Sequence, residues 1–443
     1  MSKAAWRSER QAFWAGLALV LAVFVSLVML DRPLVRGDGL AYYMWLGPVT
    51  TRFTFDLTSA VEQFAGVNEY QVFRVPGGGY GSAFSFGPAI LLAPWYRLAL
   101  LLPEARNVNL AHYVQYQGDG FIRSFFVLLG SNTYTVLAVL LSYKVALSLV
   151  RAPWTAAAAA FTLLWGTPLI YYATIEPYMA HALGTFLLAL ALYLYTRPRP
   201  RWLLLGVVLS VAVVVRWQLA LLLIPIGIHL LWRRRWRESV RLGVGTLSLA
   251  WLVPLSWQQM FGSFLVVPAA IQNQSPFLGL PVHALDVLIS AKAGLFLWSP
   301  LTVLALAGLL LLWRKHTRLA AVSLAAFVLQ VLINGGVQDW AAGWSYGMRR
   351  LTELYPFFVV GLAYLLGVRG LARWPLWAAA AALFVLSGVI FFAHITYANA
   401  VAGHGAPFPQ EVAYWLGRRD ALWVTLDVVK GHYGPLAWRQ PGP

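Results

Sequence analysis

Apolar stretches close to the length of a bilayer crossing recur along most of the 443-residue chain, and they constrain its fold more than any other feature. A hydrocarbon core about 30 Å thick takes about 20 residues of helix to cross. Within it each backbone N–H and C=O must find its partner inside the segment, which leaves helices as the spanning element. Segments near 11–30, 121–148, 155–174, 179–196, 202–215, 218–232, 242–258, 294–313, 319–334, 354–368 and 374–393 have that character. The expectation is an all-α polytopic membrane protein of about eleven transmembrane helices. Charged residues make up 11% of the chain, against about 25% in soluble domains. That is too little charge to coat the three or so soluble domains this length would otherwise suggest. The abundance of apolar and aromatic side chains equally excludes disorder. Cysteine is absent, so disulfides, thiolate nucleophiles and Cys-ligated metals are excluded.

The formal net charge is +17. Nucleic acid is one partner such a charge suits, but the basic residues cluster at the ends of apolar spans, as the positive-inside rule expects. No nucleic-acid partner is expected. Lys3, Arg7 and Arg10 precede the first span and place the N-terminus in the cytoplasm. That span is too long for a signal-peptide core and reads as a retained anchor. Further clusters follow at Arg151, Arg197/Arg199/Arg201, Arg233/Arg234/Arg235/Arg237/Arg241, Arg314/Lys315/Arg318 and Arg369/Arg373. With all of these cytoplasmic, the spans pair off between them and the C-terminus lies outside the cytoplasmic (inner) membrane. The whole chain 1–443 is then one integral membrane domain. It has external loops at 31–120, 259–293 and 335–353 and an external tail at 394–443. The segment 84–102 is apolar enough to span, but crossing there would invert every later cluster. Its Pro88 and Pro94 also oppose a straight helix. It is expected to be a juxtamembrane helix on or in the outer leaflet. A second surface helix is expected after Asp56, a good N-cap, with Leu57, Ala60, Val61 and Phe64 at helical spacing.

Four constellations can carry chemistry. The first is Arg36-Gly37-Asp38-Gly39-Leu40-Ala41-Tyr42-Tyr43, just outside the first span. Flanking glycines let the backbone turn and present Asp38, either as a helix cap or as a general base at headgroup height. The second is the set of external arginines Arg36, Arg52, Arg74, Arg123, Arg216, Arg349 and Arg350. Arg216 sits between two apolar runs, where a charge is costly and usually paired or functional. Guanidinium groups clamp phosphate bidentately, and snorkelling or ion pairing is the plainer role. The third is 334–350, a Gly- and Trp-rich polar interruption holding Asp339, Trp344, Arg349 and Arg350. Such loops at membrane depth line cavities, and Trp can stack on a sugar face, or simply anchor a turn at the interface. The fourth is Glu176-Pro177-Tyr178-Met179-Ala180-His181 at the outer junction of two helices. Glu176 and His181 there can bind an acceptor or orient a base, or cap a helix. The glycine-rich stretch 77–81 follows no strand in a βαβ unit, so a dinucleotide loop is ruled out and a flexible hinge is expected. No HExxH-like spacing occurs. No cofactor is expected, and a divalent ion shared by loop carboxylates stays open.

One N-terminal span, a long external loop opening on an Asp, juxtamembrane helices and many further spans together resemble the GT-C superfamily of membrane glycosyltransferases. The likeness is to the family 39 protein mannosyltransferase and lipid A aminoarabinose transferase group. It covers most of the chain in layout and short motifs in residues. Asp38 stands where that group carries its acidic residue, with Gly39 in place of the usual Glu and Tyr42 and Tyr43 as the following aromatics. Arg123 matches an Arg at the outer start of the second span, and Arg216 a Lys or Arg after a short apolar run. Glu176 matches an acidic residue at the junction, where His181 replaces an expected Asp. The segments 82–94, 294–300 and 343–350 are also similar.

The resemblance implies an inverting transferase that takes a sugar from a polyprenyl-phosphate donor to an acceptor hydroxyl on lipid, glycan or protein. Asp38 would be the catalytic base. Arg123, Arg216, Arg349 and Arg350 would bind the donor phosphate, and Tyr42, Tyr43, Glu176, His181, Asp339 and Trp344 the substrates. Two other readings stay open. A transporter or lipid flippase would show internal repeats and midplane charges, whereas most charges here fall at helix ends. A glycan ligase using a diphosphate-linked donor would share the arginine-rich outer face.

Overall fold

A computed structural model describes residues 3–31, 33, 35, 37–64, 67, 71–76, 78–103, 120–273, 278–343, 345–368, 370, 373–397, 410–418 and 425–426. In chain order, α1 is Lys3–Leu30, α2 Gly37–Tyr43, α3 Thr58–Gln63 and α4 Gly87–Leu100. Next come α5 (Phe121–Val150), α6 (Pro153–Trp165), α7 (Leu169–Thr174), α8 (His181–Tyr195) and α9 (Trp202–Val215). Then follow α10 (Leu223–Trp232), α11 (Trp236–Ala250), α12 (Leu252–Phe261) and the short α13 (Pro268–Asn273), α14 (Ala284–Ile289) and α15 (Leu295–Trp298). The chain closes with α16 (Leu301–Gly335), α17 (Tyr355–Leu366), α18 (Arg373–Tyr397) and α19 (Gln410–Gly417).

Every expected span is helical for most of its length, but the expected eleven do not appear as eleven full-length helices. Among the described residues five are long and apolar enough to cross a bilayer: Ser8–Leu30, Phe121–Val150, Trp236–Phe261, Leu301–Gly335 and Arg373–Tyr397. The rest are shorter for identifiable reasons. The 155–174 span breaks into α6 and α7 around Gly166 and Pro168, because proline lacks the N–H a continuing helix needs. The 218–232 span opens with a tight 3-10 turn over Trp217–Leu222. The two spans expected at 294–313 and 319–334 run on as α16, bent at His316, whose φ of −129° and ψ of 51° are not helical. The 14 residues of α4 rise about 21 Å, short of a hydrocarbon core.

The chain divides into two compact units, one of residues 1–31, 136–171 and 280–443 and the other of 32–135 and 172–279. In the first unit α17 is buried along nearly its whole length, as expected of a helix apolar on all sides. Tyr355 at its start donates to the carbonyl of Ala160 at 2.7 Å. The tail helix α19 is held by a buried pair, with Glu411 Oε2 3.0 Å from His394 Nδ1 on α18. Tyr346 packs against that His394 ring. Burial, and then the neighbouring Glu411 and Tyr171, push the Tyr346 hydroxyl far above the ordinary tyrosine range, so it stays neutral.

In the second unit α9 and α11 touch backbone to backbone. A Cβ on Gly206 would lie 2.3 Å from the Leu242 carbonyl oxygen, and one on Gly245 2.2 Å from that of Leu203. Small residues at such crossings are how helices without a hydrophobic drive between them pack in lipid. Gly206→Ala is therefore expected to destabilise the protein by about 1–3 kcal/mol, read as a lower melting temperature in detergent. An unchanged melt would mean the crossing is not tight.

The long loop of this unit holds a feature the sequence reading missed. The glycine-rich stretch is the turn of a β-hairpin, not a hinge: β1 (Phe73–Arg74) pairs antiparallel with β2 (Tyr80–Gly81), Phe73 opposite Gly81 and Arg74 opposite Tyr80. Gly78 and Gly79 take φ of +85° and +122°, values that favour glycine. Asp56 ties the hairpin to α3. Its Oδ1 accepts from Thr58 N (3.0 Å), Thr58 Oγ1 (2.7 Å) and Tyr80 N (3.2 Å). Partial burial raises the Asp56 pKa, but these bonds and Arg52 outweigh it and hold the carboxyl below the ordinary carboxylate value. A depressed folded pKa adds stability above the unfolded value and loses it as pH falls through the folded one. Asp56→Asn is accordingly expected to lower the melting temperature at neutral pH and to leave it little changed below the folded pKa, so that the acid limb of the profile flattens.

Candidate active site

Asp38, Tyr42, Tyr43, Arg123, Glu176, His181 and Arg216 all fall in the second unit. Asp38 lies half-buried in the first turn of α2. Of the two glycines beside it only Gly37 makes the turn, with φ of +51°. Gly39 is helical and lets α2 approach the 175–180 junction: a Cβ there would sit 3.3 Å from Tyr178 Cβ. A larger residue beside Asp38 would require Tyr178 to give by a few tenths of an ångström. Tyr178 then links the junction to α5 by donating its hydroxyl to the carbonyl of Ser124, the residue after Arg123, at 3.0 Å. Tyr43 packs edge-on against Tyr178, centroids 5.5 Å apart. α2, which carries Asp38, the start of α5, which carries Arg123, and the junction, which carries Glu176, thus meet around Tyr178.

The junction also carries His181, the first residue of α8. It is 3% exposed and faces Arg216, 7% exposed. Arg216 ends α9 in extended backbone, φ −151° and ψ 110°, so its side chain projects from the break between α9 and the 3-10 turn over Trp217–Leu222. One guanidinium nitrogen, Nη1, bonds His181 Nδ1 and lies 3.3 Å from Nε2. A guanidinium can only donate, so the imidazole accepts in its neutral form. With its amide oxygen turned inward, Gln218 accepts from Nε at 3.0 Å and also from Nη2. Both partners orient the guanidinium. Tyr172 packs on the His181 ring at 4.6 Å.

The break is fastened to the long loop that follows α1. Val215 is the last residue of α9, and its carbonyl accepts from Ser85 Oγ. A Cβ on Gly87 would strike the Val214 carbonyl at 2.2 Å. Trp45 donates from Nε1 to the Phe84 carbonyl at 3.0 Å, and Tyr42 stands edge-on to Phe84 at 5.2 Å. The expected juxtamembrane segment is therefore the strap between the Asp38 helix and the Arg216 break.

The remaining donor and substrate candidates belong to the first unit or fall outside the described residues. Asp339, Arg349 and Arg350 belong to the first unit. Arg350 Nη2 is 3.3 Å from Asp339 Oδ2, and its Nη1 donates to the Asp339 carbonyl, so these two residues brace one turn. Trp344 and Arg36 are outside the described residues. Among the described residues no three His, Asp or Glu side chains are grouped to hold a metal ion. The sequence reading did not single out Gln218, although it lies two residues from Arg216, because a lone amide carries no pattern until the helix breaks beside it.

No protein-family model matches the chain, and no curated protein aligns with it. Its fold does have solved counterparts. The crystal structure of ArnT from Cupriavidus metallidurans, determined with bound undecaprenyl phosphate, superposes with a TM-score of 0.55. The match takes in 97% of this chain and 72% of ArnT at 13% sequence identity. The chain carries the fold of ArnT.

Proposed function

We propose that this protein is an inverting glycosyltransferase that moves a sugar from a polyprenyl-phosphate donor to an acceptor hydroxyl on the external face of the inner membrane. One observation carries the proposal: a buried arginine, Arg216, oriented at a helix break by the neutral acceptors His181 and Gln218. It sits in a fold that in ArnT was solved with undecaprenyl phosphate. A cation held this way in an apolar layer suits a lipid phosphate.

In the reaction, Asp38 takes the proton of the acceptor hydroxyl as its oxygen attacks the anomeric carbon. The bond from that carbon to the phosphate oxygen breaks, and its electron pair leaves on the lipid phosphate. Arg216 and Arg123 stabilise that charge as it develops, and Arg349 and Arg350 are further candidates. Tyr42, Tyr43, Glu176 and His181 shape the substrate side, as would Asp339 and Trp344. The N-terminus is cytoplasmic, about eleven passes follow, and the site opens outward.

The test is transfer by purified protein from a panel of radiolabelled polyprenyl-phosphate sugars to membrane extract. Label moving from a monophosphate-linked donor supports the proposal and names the sugar. Label moving only from diphosphate-linked glycans makes the protein a ligase. Lipid translocation without transfer makes it a flippase.

A further inference from the structure

The α8–α9 hairpin carries arginine at both ends. His181 and Arg216 mark one end, and at the other the connection reads Arg197-Pro198-Arg199-Pro200-Arg201. Along α9 the two ends lie about 22 Å apart. The far end holds an open cleft of about 1120 Å³, at the upper limit of the usual ligand-pocket range of about 300–1,000 Å³. Four arginines line it, Arg197, Arg199 and Arg201 from the connection and Arg241 from α11, and no acidic residue does.

We propose that this cleft binds the phosphate headgroup of an anionic phospholipid in the leaflet opposite the Arg216 site. The cleft is built for an anion in three ways. Pro198 and Pro200 fix φ on either side of Arg199, so little ordering is left for a ligand to impose. Arg197 is braced on its own helix, with Nη1 3.2 Å from the Tyr193 hydroxyl and the guanidinium 5.3 Å above the Tyr193 ring. The 14-residue α9 starts at Trp202 in the cleft wall, so its positive end and first-turn N–H groups add to the arginines. Topology alone requires positive charge near this end of the hairpin. It does not require a concave arrangement drawing on two separate segments. The source of the phosphate follows from the rest of the wall: Leu203 is 51% and Leu204 42% exposed, an apolar edge that suits acyl chain and gives a free phosphate ion nothing. Basic pockets between transmembrane helices are established headgroup sites in general. The proposal is independent of the transferase reading.

The experiment measures binding of acyl-labelled phosphatidylglycerol to the full-length protein in neutral detergent, with phosphatidylcholine as the zwitterionic control. Arg197→Gln, Arg199→Gln and Arg241→Gln combined should weaken phosphatidylglycerol binding on the order of 100-fold, at about fivefold per basic residue. A control removing three charges outside the cleft, Arg233→Gln, Arg234→Gln and Arg237→Gln, should change it by about threefold or less. Arg199→Gln alone should cost about fivefold and serves if the triple variant fails to fold. Equal loss in both triple variants, or equal binding of the two lipids by wild type, would overturn the proposal. So would complete displacement of phosphatidylglycerol by millimolar inorganic phosphate, which would identify a soluble phosphate as the ligand.

Discussion

Asp38→Asn should lower transfer by about two to four orders of magnitude, the range a positioned general base contributes. The substitution is chosen for what it leaves alone. Asparagine matches aspartate in size and remains tolerable in the first turn of α2, so the Gly39–Tyr178 approach and the Tyr178–Ser124 bond have no reason to move. An amide cannot take a proton from an acceptor hydroxyl at neutral pH, so the loss should fall on kcat. Binding of the donor lipid phosphate should stay within about threefold, since the groups assigned to it lie on α5 and at the end of α9. The check is single-turnover transfer beside equilibrium binding of undecaprenyl phosphate and a melting curve. Turnover within a few-fold of wild type would move the base to Glu176, the half-buried carboxylate at the junction. Loss of turnover together with the melt would mean that Asp38 is structural.

How far the molecule was legible in its sequence can be judged from particular segments. The helices were legible because in a bilayer composition and backbone satisfaction point the same way, and α9 begins and ends at the expected residues 202 and 215. Helix continuity was not. Whether α11 and α12 run on as one apolar helix, or whether the chain bends at His316, depends on packing that hydropathy does not encode. The hairpin at residues 73–81 was missed because two-residue strands leave no alternation to read. In the site, Arg216 was legible for an energetic reason: a charge between two apolar runs needs an explanation. Its partners were less so. His181 stood out as a group that could bind an acceptor or orient a base, not as a partner of Arg216, and the contact across 35 positions of sequence becomes visible only when α8 and α9 fold back on each other. Gly39 was read as a turn residue, and its actual role, making room for Tyr178, depends on a neighbour 139 positions away.

Arg216→Met is the sharpest test of the phosphate site, because it separates charge from packing. Methionine fills a similar volume, and replacing a whole buried ionic cluster with well-packed apolar groups is often neutral or stabilising. Against that stands the loss of two hydrogen-bonded partners, His181 and Gln218, each costing about 1–3 kcal/mol if left unsatisfied. The melt should therefore shift downward, by up to about 2–6 kcal/mol of stability if neither partner is satisfied again. Activity should fall as well. Removing one preorganised group from a developing charge costs about 100- to 1,000-fold in kcat, and this cation loses less to water than one at the surface because it is 7% exposed. Arg216→Lys should recover part of the rate, since it restores the charge without the fork that both partners hold. Affinity for undecaprenyl phosphate should follow the same order, wild type above Lys above Met. That readout needs no knowledge of the sugar or the acceptor. If all three bind the lipid phosphate alike while the Met variant melts far below wild type, the arginine is a structural strut at the end of α9, and the donor site must be sought elsewhere.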